Sequence, residues 1–135
     1  MSTTNLLATG IYSKLTGSTA LITALGGTAI YHIQGPGNSS YPRIVFYPMA
    51  GGPVNINPSD MRELIYSVIC YAVTQSQAGS LDAIVSPLLH RQVITVTGYT
   101  NYWTARETEI VTVETPPNGA PVYGVGAQYR IRLDS

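Results

Sequence analysis

One cysteine, one lysine and two histidines among 135 residues set the first limits on this chain. With Cys70 alone, no disulfide forms within the chain and no cysteine metal cluster can be assembled in it, and its apolar neighbours predict a buried thiol. Charge is scarce: Asp, Glu, Lys and Arg supply 10% of the sequence, where an ordinary globular domain has about a quarter. The seven basic and seven acidic residues cancel. No Lys/Arg cluster stands out, so the salt-sensitive phosphate grip of a nucleic-acid-binding protein is not expected. Long apolar runs are missing too. The richest, Leu64 to Val73, is too short to cross a bilayer, and Met1 to Leu7 lacks the basic stretch and apolar core of a secretory signal. The chain is expected to be made and kept in the cytoplasm, away from membranes.

What is present fits one domain spanning 1–135. This length suffices for a single core, and the apolar share of 44% is ordinary. With so little charge, the surface must rely on Thr, Ser, Asn, Gln and Tyr, which suits contact. Six of the seven basic residues are Arg, whose planar fork favours carboxylates and aromatic rings. Ten Tyr stand against one Phe and one Trp. Tyr suits half-wet surfaces where the ring packs and the hydroxyl reaches water or a partner.

Leu7, Ile11 and Leu15 recur every four residues and predict a helix, with Thr3, Thr4 or Asn5 as cap and Gly17 as its end. Ser18 caps a second helix carrying Leu21, Ile22 and Leu25, closed by Gly26-Gly27. Ala29 to Ile33 reads as a short strand, Gln34 to Pro42 as a loop, Arg43 to Tyr47 as a strand, and Met49 to Asp60 as a second loop. Glu63 to Val73 is apolar on both faces and is placed at the sheet centre, with one side for helices and the other for the chain itself or a partner subunit. Leu81, Ile84, Val85 and Leu88 predict an amphipathic helix from about Gln77, broken or kinked at Pro87, with Leu88 to Arg91 a separate turn. Strands are expected over Val93–Thr97 and Glu109–Thr115. Pro116 to Gly119 then turns into a last strand, Val122–Leu133, with Tyr129, Ile131 and Leu133 inward and Gln128, Arg130, Arg132 and Asp134 outward. The expected class is α+β: a small mixed, mainly antiparallel sheet with two to three helices packed on one face.

Catalytic chemistry finds little footing. His32 and His90 lack nearby carboxylates in the sequence and read as ordinary structural or surface histidines. Glu107 and Glu109 share a face if their segment is extended, but two carboxylates beside Arg106 read as edge-strand ion pairs, and no metal site is assigned to them. Gly35-Pro36-Gly37 and Gly51-Gly52-Pro53 have neither a P-loop ending nor a dinucleotide spacing. No nucleophile elbow is present. No catalytic residue, cofactor or metal is assigned, and the composition points to a structural protein that acts by contact. The competing reading is a small binding module using Tyr99, Tyr102 and Trp103 as a platform for carbohydrate or single-stranded nucleic acid, which is short of basic support beyond Arg106.

The order of elements resembles the tail-terminator, or tail-completion, proteins of long-tailed bacteriophages, also called minor tail or head-tail joining proteins. The resemblance lies in Ile11-Tyr12-Ser13-Lys14-Leu15, in Ala20 to Leu25 running into Gly26-Gly27 and Ala29-Ile30-Tyr31, and in the proline-led strand Tyr41 to Phe46. It continues through the strand Tyr66–Ala72, the helix Leu81–Leu89 and the last strand Ala127–Arg132. It covers nearly the whole chain. It implies a virion protein: a ring of six copies at the head-proximal end of the tail tube, which ends tail polymerisation and joins the tail to the head-neck complex. Its implied partners are further copies of itself, the tail tube protein and a connector or stopper protein, with DNA passing through the lumen without specific binding. A neighbouring role in the neck, in head completion or in the tube itself is the near alternative.

A closed ring needs two different patches on each subunit. The segments Gln34–Tyr41, Met49–Asp60 and Tyr99–Glu109 are the expected contact regions, with Tyr41, Arg43, Met49, Asp60, Arg62, Tyr102, Trp103, Arg106, Glu107 and Glu109 as candidate contact residues. In this reading Arg43, Arg62 and Arg106 meet Glu107, Glu109 or Asp60 of a neighbour, and Arg130 or Arg132 faces the lumen.

Overall fold

The computed structural model describes residues 3–33, 42–54, 61–115, 119 and 121–134. Its elements run α1 (Thr3–Thr16), α2 (Thr19–Leu25), β1 (Ile30–His32), β2 (Arg43–Val54), β3 (Met61–Ala72), α3 (Gln75–Leu89), β4 (Thr100–Glu114) and β5 (Val122–Asp134). The strands form one sheet in the order β1-β2-β3-β5-β4, parallel between β1 and β2 and antiparallel elsewhere. The fold is α+β, with a mostly antiparallel sheet and three helices.

One core joins the layers. Leu7, Ile11 and Leu15 of α1, Leu21 and Leu25 of α2, and Leu81, Val85 and Leu89 of α3 meet alternate residues of the strands: Ile44 and Phe46, Leu64 to Cys70 by twos, and Ala127 to Leu133 by twos. These are the i, i+4 and i, i+2 repeats that the two kinds of element impose. β3 lies at the centre. On its second face Ser67 and Ile69 are buried, whereas Glu63, Ile65 and Tyr71 are partly exposed.

Helix ends follow local chemistry. Ser18 accepts the Leu21 N–H at 3.3 Å, and Thr74 accepts the Gln77 N–H at 3.2 Å. Gly26 ends α2 at φ 75°, a left-handed value that costs glycine nothing. The expected cap of α1 differs, because the helix already runs at Thr3.

Four further expectations are corrected. α3 continues through Pro87 to Leu89, because Pro87 lies on the exposed side and water can serve the carbonyl it leaves, while Val85 and Leu89 hold the last turn in the core. Val93–Thr97 is not a strand; only Val96 bridges to Tyr99. β4 begins nine residues earlier than Glu109, at Thr100. Met49 to Val54 belongs to β2, paired with Met61 to Ile65 through a register shift between Pro48 and Ala50. Pairing with a neighbour overrode loop-like composition there. Residues 34–41, 55–60 and 116–118, which include much of both expected loops and most of the Pro-Pro-Asn-Gly turn, lie outside the described residues.

Candidate subunit interface

β4 is an edge strand, and two irregularities divide it. The register shifts between Asn101 and Trp103 and again between Arg106 and Thr108. Each shift gives the strand one extra residue over β5, which turns its side chains over. Asn101 holds the first shift. It is 5% exposed and fully bonded: its Oδ1 accepts from Ile94 N–H at 2.8 Å and from the Thr104 hydroxyl at 2.9 Å, and its Nδ2 donates to the carbonyls of Trp103 at 3.0 Å and Arg132 at 3.1 Å. The segment after α3 is thereby tied along the outer edge of β4. Arg91 N–H donates to Thr104 O at 2.7 Å, and His90 Nδ1 accepts the Arg106 N–H at 3.0 Å.

The second shift separates two acidic residues that a regular strand would place together. Glu107 reaches Arg130 on the sheet face away from the helices, at 2.8 Å from Nε, whereas Glu109 reaches Arg106 on the helix side at 3.2 Å. The expected shared face of Glu107 and Glu109 is therefore absent, and with it the geometry for sharing a proton or a cation. On the open face Glu63 joins Arg130 to Arg132, accepting from the Arg132 Nε at 3.0 Å, and the Arg132 guanidinium lies 5.8 Å from the Trp103 ring centre. Both arginines expected to face a lumen have carboxylate partners within the chain.

Arg106 is also committed internally. It forms a two-pronged pair with Asp82 of α3 at 2.9 and 2.7 Å and donates to the Tyr129 hydroxyl at 3.1 Å. The hydrogen bond to Asp82 raises its pKa against the opposing effect of burial. Burial pushes the Tyr129 phenol upward. Arg106 thus pins β4 to α3 and is not open to a neighbour's carboxylate. A charged residue at the i+4 position from Ala78 on the buried stripe of α3 was the sequence signal for this pair, because a buried carboxylate demands a partner.

The other candidate contacts scatter. Tyr41 and Asp60 lie outside the described residues. Arg43 is half-buried at the start of β2, and Arg62 is half-buried with its Nε lacking a hydrogen-bond partner among the described residues. Met49 is exposed at the β2 irregularity. Tyr102 and Trp103 are exposed, but Tyr99 packs against the core, so the three aromatics make no single platform. Tyr102 and Trp103 instead line an open groove of about 390 Å³ with Arg91, Gln92, Val93, Asn101 and Thr104. Sequence reasoning missed Arg91 and Val93. At the far end of β4, Val111 and Val113 are exposed beyond the reach of α3. Among the described residues no group of three or more His, Cys, Asp or Glu side chains is placed to hold a metal ion. No helix there is long and apolar enough to cross a membrane.

Neither a protein-family model nor a curated protein matches the sequence. Solved structures do match the fold. A second chain aligns over 96% of this one and 94% of itself, with 13% identity and a TM-score of 0.54. A chain from a structure described as the virion of a native gene transfer agent particle aligns over 99% of this chain and 98% of itself, with 17% identity and a TM-score of 0.76. At such identities the likeness is one of fold, and it extends from end to end.

Proposed function

We propose that this chain is a non-enzymatic structural protein of a phage-like virion, which forms a ring of six copies at the head-proximal end of the tail tube, stops tube growth and joins the tail to the head-neck complex. The observation that carries the reading is the end-to-end correspondence with a chain of a virion particle, at a TM-score of 0.76. The resemblance of the element order to tail-terminator proteins supplies the finer role. The surface agrees with it. Arg106, Glu107 and Glu109 of β4 have charge partners within the chain, while exposed apolar side chains remain at both ends of that strand.

Electron microscopy of particles assembled without this protein tests the role. Overlong tubes without heads are expected. Tails of normal length that fail to attach to filled heads would move the protein to a joining role alone, and wholly normal virions would overturn the structural reading.

A further inference from the structure

The two exposed apolar patches on β4 differ in shape, face and charge. The first is the groove end, where Val93 is 68% exposed and Tyr102 and Trp103 are nearly half exposed. Arg91 stands at its rim, exposed and without an ion pair among the described residues. The second is the arm end, where Val111 pairs with Val125 and Val113 with Tyr123 on the helix-side face, beyond α3. It is acidic. From Glu107 to Glu114 the strand carries three Glu and no basic residue. Glu107 and Glu109 are engaged by Arg130 and Arg106, which leaves Glu114 exposed and unpaired among the described residues. At about 3.3 Å per residue the patches lie on the order of 30 Å apart along one strand.

We propose that the arm end of one copy docks on the groove end of the next, with Val111 and Val113 against Val93, Tyr102 and Trp103, and with Glu114 paired to Arg91. The occupant of each patch is a second copy of this chain. Charge complementarity supports this pairing: an arm meeting an arm would oppose acidic residues, and a groove meeting a groove would oppose Arg91 to itself. Two unlike patches on one subunit make a head-to-tail contact, which closes into a ring when the rotation permits. The inference rests on the ring reading above and assigns its surfaces.

Cross-linking and charge exchange test it, in the purified chain and in assembled particles. Cys70 is fully buried, so engineered thiols report alone. A mixture of the Val113→Cys and Val93→Cys variants is expected to cross-link with a short bis-maleimide, and neither variant by itself. Glu114→Arg and Arg91→Glu are each expected to weaken association by about tenfold or more, and the chain carrying both to regain it, because like charges placed in contact are strongly unfavourable. All four substituted positions are exposed, and circular dichroism verifies each fold. Oligomers of undiminished stability in both single charge variants, or cross-links between like positions, would overturn these surfaces and leave the ring intact. A chain that is monomeric in solution and present as one copy per particle would overturn the ring as well.

Discussion

Replacing Arg106 with Met removes the only cation that touches Asp82 among the described residues and leaves a carboxylate whose side chain is 12% exposed. Breaking a buried pair from one side costs about 3–5 kcal/mol, since the remaining charge loses its partner but keeps its desolvation. The residual exposure of both groups admits some water, so the lower figure applies, about 3 kcal/mol. Glu109 is 78% exposed and adds little. Against a total stability of about 5–15 kcal/mol the loss is large. In urea, with a slope of about 1.5 kcal/mol per molar, the midpoint should fall by about 2 M with the slope unchanged. Trp103 is the single tryptophan and reports the transition. The companion variant Asp82→Leu/Arg106→Met should recover most of the loss, because apolar groups of similar volume replace a buried pair at little cost. A single variant within about 0.5 M of the parent midpoint, or a double variant no better than the single, would refute the view that this pair pins β4 to α3.

Cys70 is buried and its thiol pKa is pushed far upward, first by desolvation and then by the Asp82 carboxylate. It should stay unlabelled by a thiol reagent in the native protein and react at the rate of global unfolding; fast native labelling would refute its place in the core. His32 has its pKa lowered by burial, with Nε2 lacking a partner among the described residues and the ring 5.1 Å from that of Phe46. The unfolded chain then binds the proton more readily than the folded one, so stability should rise with pH up to the ordinary histidine value near 6.5 and fall below it. In urea titrations His32→Phe should flatten that slope, and an unchanged slope would exclude His32 as its source. A Cβ at Gly126 would meet the Val68 carbonyl and lie 2.6 Å from Ile69 Cα, so Gly126→Ala should cost several kcal/mol, read as a loss of soluble, cooperatively unfolding protein. Deleting Glu107 should restore regular pairing with β5, with Arg106 still opposite Tyr129 and Thr108 opposite Gln128, at a cost of about 1 kcal/mol for a partly exposed ion pair. A deletion variant that does not fold would show that the irregularity is needed for the strand itself.

Much of this was legible because it follows from period. The recurrence of Leu7, Ile11 and Leu15, the continuous apolar run of β3 and the alternation of Tyr129, Ile131 and Leu133 are direct consequences of how helices and strands present side chains. β4 was not legible, for the same reason. Its two register shifts reverse the alternation twice, so that Asn101, then Thr104 and Arg106, then Glu109 and Val111 face the helices in turn, and no single period describes them. Val93 to Thr97 has strand-forming side chains, yet Ile94 spends its N–H on the Asn101 side chain and forms no ladder. The partner of Arg106 lies 24 residues away on another element. Spacing alone does not reveal it. What could be read was the complementary half: Asp82 sits on a buried helical stripe and requires a cation.

The irregularities of β4 also explain how one edge strand can carry two unlike contact surfaces. A regular strand of its length would give each face a continuous stripe, and on an edge such a stripe invites pairing with any similar edge. Here the strand is closed from Thr104 to Arg106. Its helix face is pinned by Arg106 to Asp82, its outer edge is covered by His90 and Arg91, and its open face is filled by the Arg130, Glu107 and Glu63 network. Exposed apolar side chains survive only at the two ends, on opposite faces, with Arg91 near one and Glu114 at the other. Along β4 and its outer edge, the pairing of Arg106, Glu107 and Glu109 within the chain leaves Arg91 and Glu114 without an ion pair among the described residues. For a chain with 10% charged residues, that is an economical source of orientation between copies. The same arrangement disfavours contacts of arm on arm or groove on groove, which would oppose each charge to its own kind.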